Sequence, residues 1–256
     1  MKISNKKKKY FQTESIVLNL FNLGEADRII TLLTPNYGII RAVANGVRKP
    51  NSRIGGHLDI LNKINAYVRI GENLNNLSQA DTIDGYSEIK QNLKKISLCF
   101  YILELSEKFS VENDPNNNIY QLLDEVLESI KSVENDELLI RWFEIKLLIS
   151  AGFLPELYNC LISGKKLKEG DHVFSFNEGG LIDYNYYSES LNHSIILKKT
   201  IKATRFLVDN NWSNVNKLNI SQKTINDIKI IMQRYIRTLI NSRVNSETFL
   251  SLIHNN

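Results

Sequence analysis

Between Thr13 and Ile83 the apolar residues recur at a period of two, with no stretch at helical period among them. This pattern constrains the fold more than any other feature. The first run is SIVLNLF (residues 15–21) and the second RIITLLT (28–34). A third begins at Gly38 and alternates Ile39, Ile40, Val43 and Val47 loosely with Arg41, Ala42, Ala44 and Asn45. A fourth spans residues 57–70, with Leu58, Ile60, Ile64, Ala66, Val68 and Ile70 on one side, and a fifth covers 74–83. Turn chemistry separates them: NLGEAD at 22–27, PNYG at 35–38 and GEN at 71–73. Five short strands with tight turns make a small antiparallel sheet, which removes its exposed edges by curling into a barrel.

The one long connection follows the third strand. Residues 46–56, GVRKPNSRIGG, read as a mobile loop in which Arg48, Lys49 and Arg53 stand beside Pro50, Asn51, Ser52, Gly55 and Gly56. Cations among small hydrogen-bonding residues suit a phosphate backbone, although charge alone fits a solvated hairpin tip better. Five strands with such a connection indicate a barrel of the OB type, whose curved face binds single-stranded nucleic acid; an SH3-like barrel is the alternative. Arg28 either pairs with Asp27 or meets phosphate, and Arg41, on the polar side of its strand, adds to the binding face. Lys6, Lys7, Lys8 and Lys9 form a basic arm that supplies affinity without reading sequence. Tyr10, Phe11, Tyr37 and Tyr67 are candidate stacking groups, core packing being the commoner use of aromatics in a small barrel.

The formal net charge of +4 conceals a segregation. Residues 1–56 hold ten Lys/Arg against three Asp/Glu, residues 57–195 twelve against twenty-two, and residues 196–256 again ten against three. The two ends of the chain therefore attract a polyanion and the middle does not. At 256 residues and 43% hydrophobic the chain can bury a substantial core in two packed units. No apolar run reaches the roughly 18–20 residues of a membrane span, and the basic N-terminus lacks the apolar centre of a signal peptide, so the cytoplasm is the expected compartment. Two cysteines, Cys99 and Cys160, agree with a reducing environment. The chain has no P-loop, no H-E-x-x-H and no acidic cluster of metal-ligating type, which argues against an enzyme acting on nucleic acid and against any cofactor.

From Tyr86 the period changes. Ile89, Leu93, Ile96, Phe100 and Leu103 mark one helical face, and Asn113, Asp114 and Pro115 end that helix. Ile119, Leu122, Leu123, Val126, Leu127, Ile130 and Val133 mark a second. A third begins near Asp136 as N-cap and is apolar on most sides, which places it centrally in a bundle. Residues 196–208 read as a helix whose polar side gathers Lys198, Lys199, Lys202 and Arg205. Ser221 caps another, with Ile225, Ile228, Met232, Tyr235 and Leu239 inward and Lys223, Arg234 and Arg237 outward. The expected class is α+β: an OB-type nucleic-acid-binding domain over 1–84, then an α-helical domain over 85–256 with a hairpin insertion at 157–195.

Three stretches carry a family resemblance: T-E-S-I-V-L from Thr13, G-E-A-D-R-I-I-T-L-L-T from Gly24, and G-V-R-K-P-N-S-R from Gly46. In that order they resemble RecO, a family of bacterial recombination mediators and DNA-repair proteins. R-W-F-E-I-K-L-L from Arg141 and the stretch from Arg234 to Leu250 extend the resemblance over nearly the whole chain. It implies an N-terminal OB domain that binds single- and double-stranded DNA and anneals complementary strands. It also implies a helical domain that receives the acidic, hydrophobic C-terminal tail of single-stranded DNA-binding protein (SSB), with RecR joining and RecA loaded afterwards. A tail of that kind needs apolar groups flanked by cations, for which Arg141, Trp142 and Lys146 are the candidates; the other reading makes Arg141 and Glu144 structural polar groups of a buried helix. An RNA- or protein-binding OB adaptor is the alternative function.

Many members of the family carry two Cys-x-x-Cys pairs and a zinc ion in the segment after the third helix. Here Cys160 is followed by Ser163, and Asp183 and Tyr186 stand where the second pair falls. A structural zinc takes four thiolate or imidazole ligands, and neither His172 nor His193 has finger spacing to Cys160. The expected module is degenerate and metal-free, its hairpin closing at Gly179 and Gly180. Elemental analysis of the purified protein is expected to find no zinc; about one zinc per chain overturns this.

Overall fold

A computed structural model describes residues 10–187 and 192–254. The chain divides into two compact units, one running up to Asp124 and taking in the chain from Phe249, the other being Glu125–Thr248.

In the first unit five strands close a barrel: β1 (Tyr10–Leu23), β2 (Asp27–Thr34), β3 (Gly38–Ala44), β4 (Lys63–Arg69) and β5 (Asn75–Asp84). Their order around the barrel is β1-β2-β3-β5-β4, antiparallel throughout except for the β3–β5 pair. This is the OB-type closure expected from five strands with one long connection. Val17, Ile30, Leu32, Ile40, Ala42, Ile64, Ala66, Val68 and Leu77 fill it, and Phe11 and Leu20 pack against them. β1 serves two neighbours in turn. Tyr10 to Ile16 pair with β4 and Ile16 to Leu23 with β2, with a bulge between Val17 and Asn19. Bulges bend a strand and shift its side-chain phase by one residue.

The fourth run is shorter than its alternation suggests. A single 3-10 turn at Gly55–His57 interrupts it, and Leu61 stands at φ 80° with its N–H on the Val17 carbonyl. Leu58 and Leu61, three apart, are both buried, whereas Ile70, expected inside, is exposed. Closure over the β1 bulge overrides local alternation here.

Two helices follow, α1 (Ser87–Lys90) and α2 (Leu93–Lys108), in place of the single helix expected from Tyr86. Asn92 separates them because its side chain caps α2, accepting from Lys95 N–H. α2 buries Leu98, Cys99, Tyr101, Ile102, Leu103 and Leu105, a wider face than the expected stripe, of which Ile89 and Leu103 are buried and Leu93 is exposed. The chain beyond α2 is clasped to the barrel by backbone. Ile39 N–H donates to Val111 O and Asn113 N–H to Ile39 O. α3 (Asn117–Ile130) opens with Tyr120, whose hydroxyl donates to Glu14 Oε1 at 2.7 Å, and carries Asp124, whose carboxylate takes Lys63 Nζ at 2.9 Å. Lys63 also reaches Glu14 at 3.2 Å, which joins β1, β4 and α3 in one polar network.

The second unit holds α4 (Asp136–Ser150), α5 (Lys198–Asp209), α6 (Trp212–Val215) and α7 (Gln222–Ile240), with the first turn of α8 (Asn245–His254). Asn135, not Asp136, is the cap of α4. A three-stranded sheet, β7-β6-β8, comprises β6 (His172–Ser175), β7 (Gly180–Asp183) and β8 (His193–Ile196). The hairpin closes at Gly179 and Gly180 as expected, Gly179 N–H donating to Ser175 O. The helix expected from Ile196 starts at Lys198, because Ile196 pairs with His172 as the last residue of β8. Arg234 also departs from expectation: it is half-buried, stacked 4.2 Å from the Phe176 ring centroid.

Two expectations test the first unit. Gly38 has φ +64°, and a Cβ there would stand 2.1 Å from the Asp114 carbonyl oxygen. Gly38→Ala should cost about 3 kcal/mol in denaturant unfolding. Gly24→Ala, at φ +58° with nothing within 4 Å, should cost about 1 kcal/mol; equal losses would show that the clasp yields. Burial alone would raise the Glu14 carboxyl, but Tyr120 and Lys63 outweigh it and hold it below its ordinary value. A depressed carboxyl stabilises the fold above its unfolded pKa and loses that contribution as pH falls through the folded value. Glu14→Gln should therefore destabilise at neutral pH and narrow the gap to the parent protein in acid, followed by thermal unfolding across pH 2–6 (roughly the carboxylate range).

Candidate nucleic-acid interface

The connection from β3 to β4 is folded into turns that hydrogen bonds tie to the barrel. Val47 points into the barrel core and Ile54 packs against it. Asp27 Oδ1 accepts from Gly46 N–H at 2.7 Å, Arg48 N–H donates to Ala26 O at 2.9 Å, and Arg48 Nη1 donates to Gly24 O at 3.0 Å. Asp27 is thus bound to the loop backbone, and Arg28 donates its Nε to Asn22 Oδ1 at 3.1 Å. Further along, Ser52 N–H donates to Lys49 O and Ser52 Oγ accepts from Gly55 N–H, which turns the chain back. Gly55 is required there, since a Cβ would lie 2.7 Å from Val47 O.

This folding gathers Arg28, Arg48 and Lys49 around one polar recess of about 350 Å³, lined also by Pro50, Ser52, Gly55 and Gly56. Arg53 is exposed on the same loop but does not line the recess. Among the described residues no carboxylate lies within ion-pair distance of any of these four cations. A recess with three uncompensated cations suits a phosphate group.

The other basic candidates are differently placed. Arg41 is on the outer barrel face, 3.9 Å from Glu107 and 3.6 Å from Glu112. Lys198 and Lys202 both pair with Glu169, and Lys199 and Lys202 edge a recess of about 330 Å³ with Phe206, Leu218 and Ile220 on its walls. Lys6 to Lys9 lie outside the described residues. Of the aromatic candidates, Phe11 stacks 4.3 Å from Tyr37 and packs on the barrel core, and Tyr67 accepts from Gln12. Tyr10 is 58% exposed at the start of β1.

The candidates for receiving a tail are used internally. Arg141 and Trp142 are each 2% exposed, so neither presents itself to a ligand. Arg141 Nη1 lies 3.0 Å from Glu144 Oε2, the structural one of its two readings. Trp142 Nε1 donates to Asn210 O and Lys146 Nζ to Val208 O, so both satisfy carbonyls at the end of α5. Burial lowers the Lys146 ammonium pKa.

Nor do the residues of the small sheet fit a zinc ion. Cys160 Sγ accepts from Asp183 N–H at 3.3 Å, and Asp183 Oδ1 is taken by Asn185 N–H. His172 Nε2 faces Lys168 O at 2.8 Å. Among the described residues no three His, Cys, Asp or Glu side chains stand close enough to hold a metal. No described helix is long and apolar enough to cross a membrane.

Phe21 escaped the sequence reading. It is 69% exposed on β1 and stands opposite Ile29, itself opposite Val43. Plain alternation from Val17 puts residue 21 inside; only the bulge, invisible in composition or period, turns it out.

Comparison with known proteins agrees with this architecture. The family model for the N-terminal domain of recombination protein O matches residues 8–86, and that for its C-terminal domain matches 90–248. A DNA repair protein RecO of Dehalococcoides mccartyi is 31% identical over 230 residues, 90% of each chain. Those of Desulforamulus reducens and Roseiflexus are 27% and 28% identical, covering 96% and 94% of this chain and 96% and 84% of their own. With a closed OB-type barrel, a helical second half and matches over both, the chain belongs to the RecO family of DNA repair proteins.

Proposed function

We propose that the protein is a non-catalytic recombination mediator that binds single- and double-stranded DNA and anneals complementary strands. With RecR it helps to load RecA onto DNA coated by SSB, acting in the cytoplasm at the nucleoid. The observation that carries the reading is the recess of Arg28, Arg48 and Lys49, without a pairing carboxylate, in a chain of this family. The mechanism is electrostatic: cations neutralise two strands at once and lower their mutual repulsion, while contact with the SSB tail on the helical unit brings the protein to covered strands. Lys198, Lys199 and Lys202 supply a second DNA contact, weakened at two positions by Glu169.

The test is annealing of complementary strands coated with SSB, with and without its tail. Tail-dependent annealing is expected; none, or annealing indifferent to the tail, would overturn the mediator reading. Competition between matched DNA and RNA oligomers separates it from an RNA adaptor. Neutralising Arg48, Lys49 and Arg53 together should weaken DNA binding evenly across sequences and flatten the dependence of log affinity on log salt by roughly two to three units. An unchanged slope in the binding isotherms would remove the loop from the interface.

A further inference from the structure

The barrel carries an exposed apolar row that its own packing does not use. The bulge between Val17 and Asn19 resets the phase of β1, so that Leu20 pairs with Ile30 toward the core while Phe21 pairs with Ile29 on the outer face. β3 continues the row, Val43 standing opposite Ile29 and beside Asn76 of β5. Ile29 and Val43 are half-buried and Phe21 is 69% exposed, so the row presents a phenyl ring to solvent in register with two aliphatic residues. Leu23, two residues on, is 40% exposed. Beyond Val17, β1 pairs with β2 alone among the described strands.

The surroundings of the ring indicate what covers it. Asn22, the next residue, accepts from Arg28, which lines the basic recess, and the turn that ends β1 accepts Arg48 through Gly24 O. Cations thus lie at the same end of the β1–β2 hairpin as the exposed ring, with Phe21 on the outer face and Asn22 and Arg28, one register on, set toward the other face, so a ligand reaches both around the hairpin end. A protein partner would match the apolar row but leave these cations without anionic counterparts unless it were itself acidic. A duplex would match the cations but keep its base faces stacked and out of reach. A single strand offers both a phosphate for the recess and an unstacked base for the ring.

We propose that Phe21, supported by Ile29 and Val43, is a nucleobase-stacking platform that makes the barrel favour single-stranded over double-stranded DNA. The proposal rests on the DNA-binding reading above and adds to it a residue and a choice of strand.

The test uses the full chain and a single-stranded oligonucleotide carrying 2-aminopurine, beside a duplex of matched length. Because Phe21 is mostly solvent-exposed, Phe21→Ala should fold with parental stability. It should lower single-strand affinity about tenfold, leave duplex affinity and the salt slope unchanged, and reduce the quenching of 2-aminopurine. Phe21→Trp should restore affinity and quenching. Equal loss on both DNA forms, or parental single-strand affinity in Phe21→Ala, would overturn the platform. So would a change confined to the self-association of the protein, which would mark the row as an interface between copies. The loop variant separates the two claims. If neutralising Arg48, Lys49 and Arg53 weakens binding while Phe21→Ala does not, the platform fails and the DNA reading stands. If the parent protein binds neither DNA form, both fall.

Discussion

The first unit depends on one irregularity, the bulge of β1 between Val17 and Asn19. At that point the strand leaves β4 for β2, and without the change of partner five strands of this length would not close. The backbone of Val17 is held from the opposite side, its N–H by Asn62 O and its carbonyl by Leu61 N–H. The same contact therefore fixes the end of the long β3–β4 connection, and Leu58 and Leu61 are buried beside it. A loop whose two ends are sealed by Val47 and Leu61 has little freedom in between, which is why its cations stand in a defined arrangement.

The polar network of Glu14, Lys63, Tyr120 and Asp124 does comparable work on the side facing α3. Burial would lower the Lys63 pKa, yet Asp124 and Glu14 together raise it, so the ammonium stays charged between two carboxylates. Glu14 pairs with Lys63 at 3.2 Å and is itself partly exposed, so its share is modest and screened by solvent. The backbone clasp around Gly38 is less sensitive to pH and salt, because it consists of amide hydrogen bonds and a close approach that only glycine permits.

How much of this was legible in the sequence follows from the range of each interaction. Alternation and turn residues gave the five strands and the hairpin at Gly179, since both arise within a few residues. Features set by distant partners were not legible: β8 forms because Ile196 meets His172, and the run before Lys63 bends because Leu61 meets Val17. Charge was the least faithful signal. The two basic ends of the chain suggest similar polyanion surfaces, but Arg41 faces Glu107 and Glu112, Lys198 and Lys202 face Glu169, and Arg237 holds Glu247 at 2.7 Å. Segmental charge counts cations; only the fold shows which face a local carboxylate, and among the described residues Arg28, Arg48, Lys49 and Arg53 do not. Arg141 and Trp142 misled for the related reason that a charged or amphipathic residue on a central helix is recruited by the interior, here by Glu144 and by the carbonyl of Asn210.

A cationic recess and an aromatic platform also divide the work of annealing in a way that neither could do alone. Phosphate contacts hold any strand and weaken together as salt rises. If every base were also stacked on the protein, the strand would be held well but could not pair. One platform at the end of one hairpin holds a base while leaving its neighbours free to meet a complement. Once the duplex forms, that base is drawn back into the stack and the contact is lost, whereas the phosphate contacts survive. On the proposed reading, single strands are thus held by both elements and the annealed product by charge alone, so the binding free energy itself favours capture of unpaired DNA and release of the paired product.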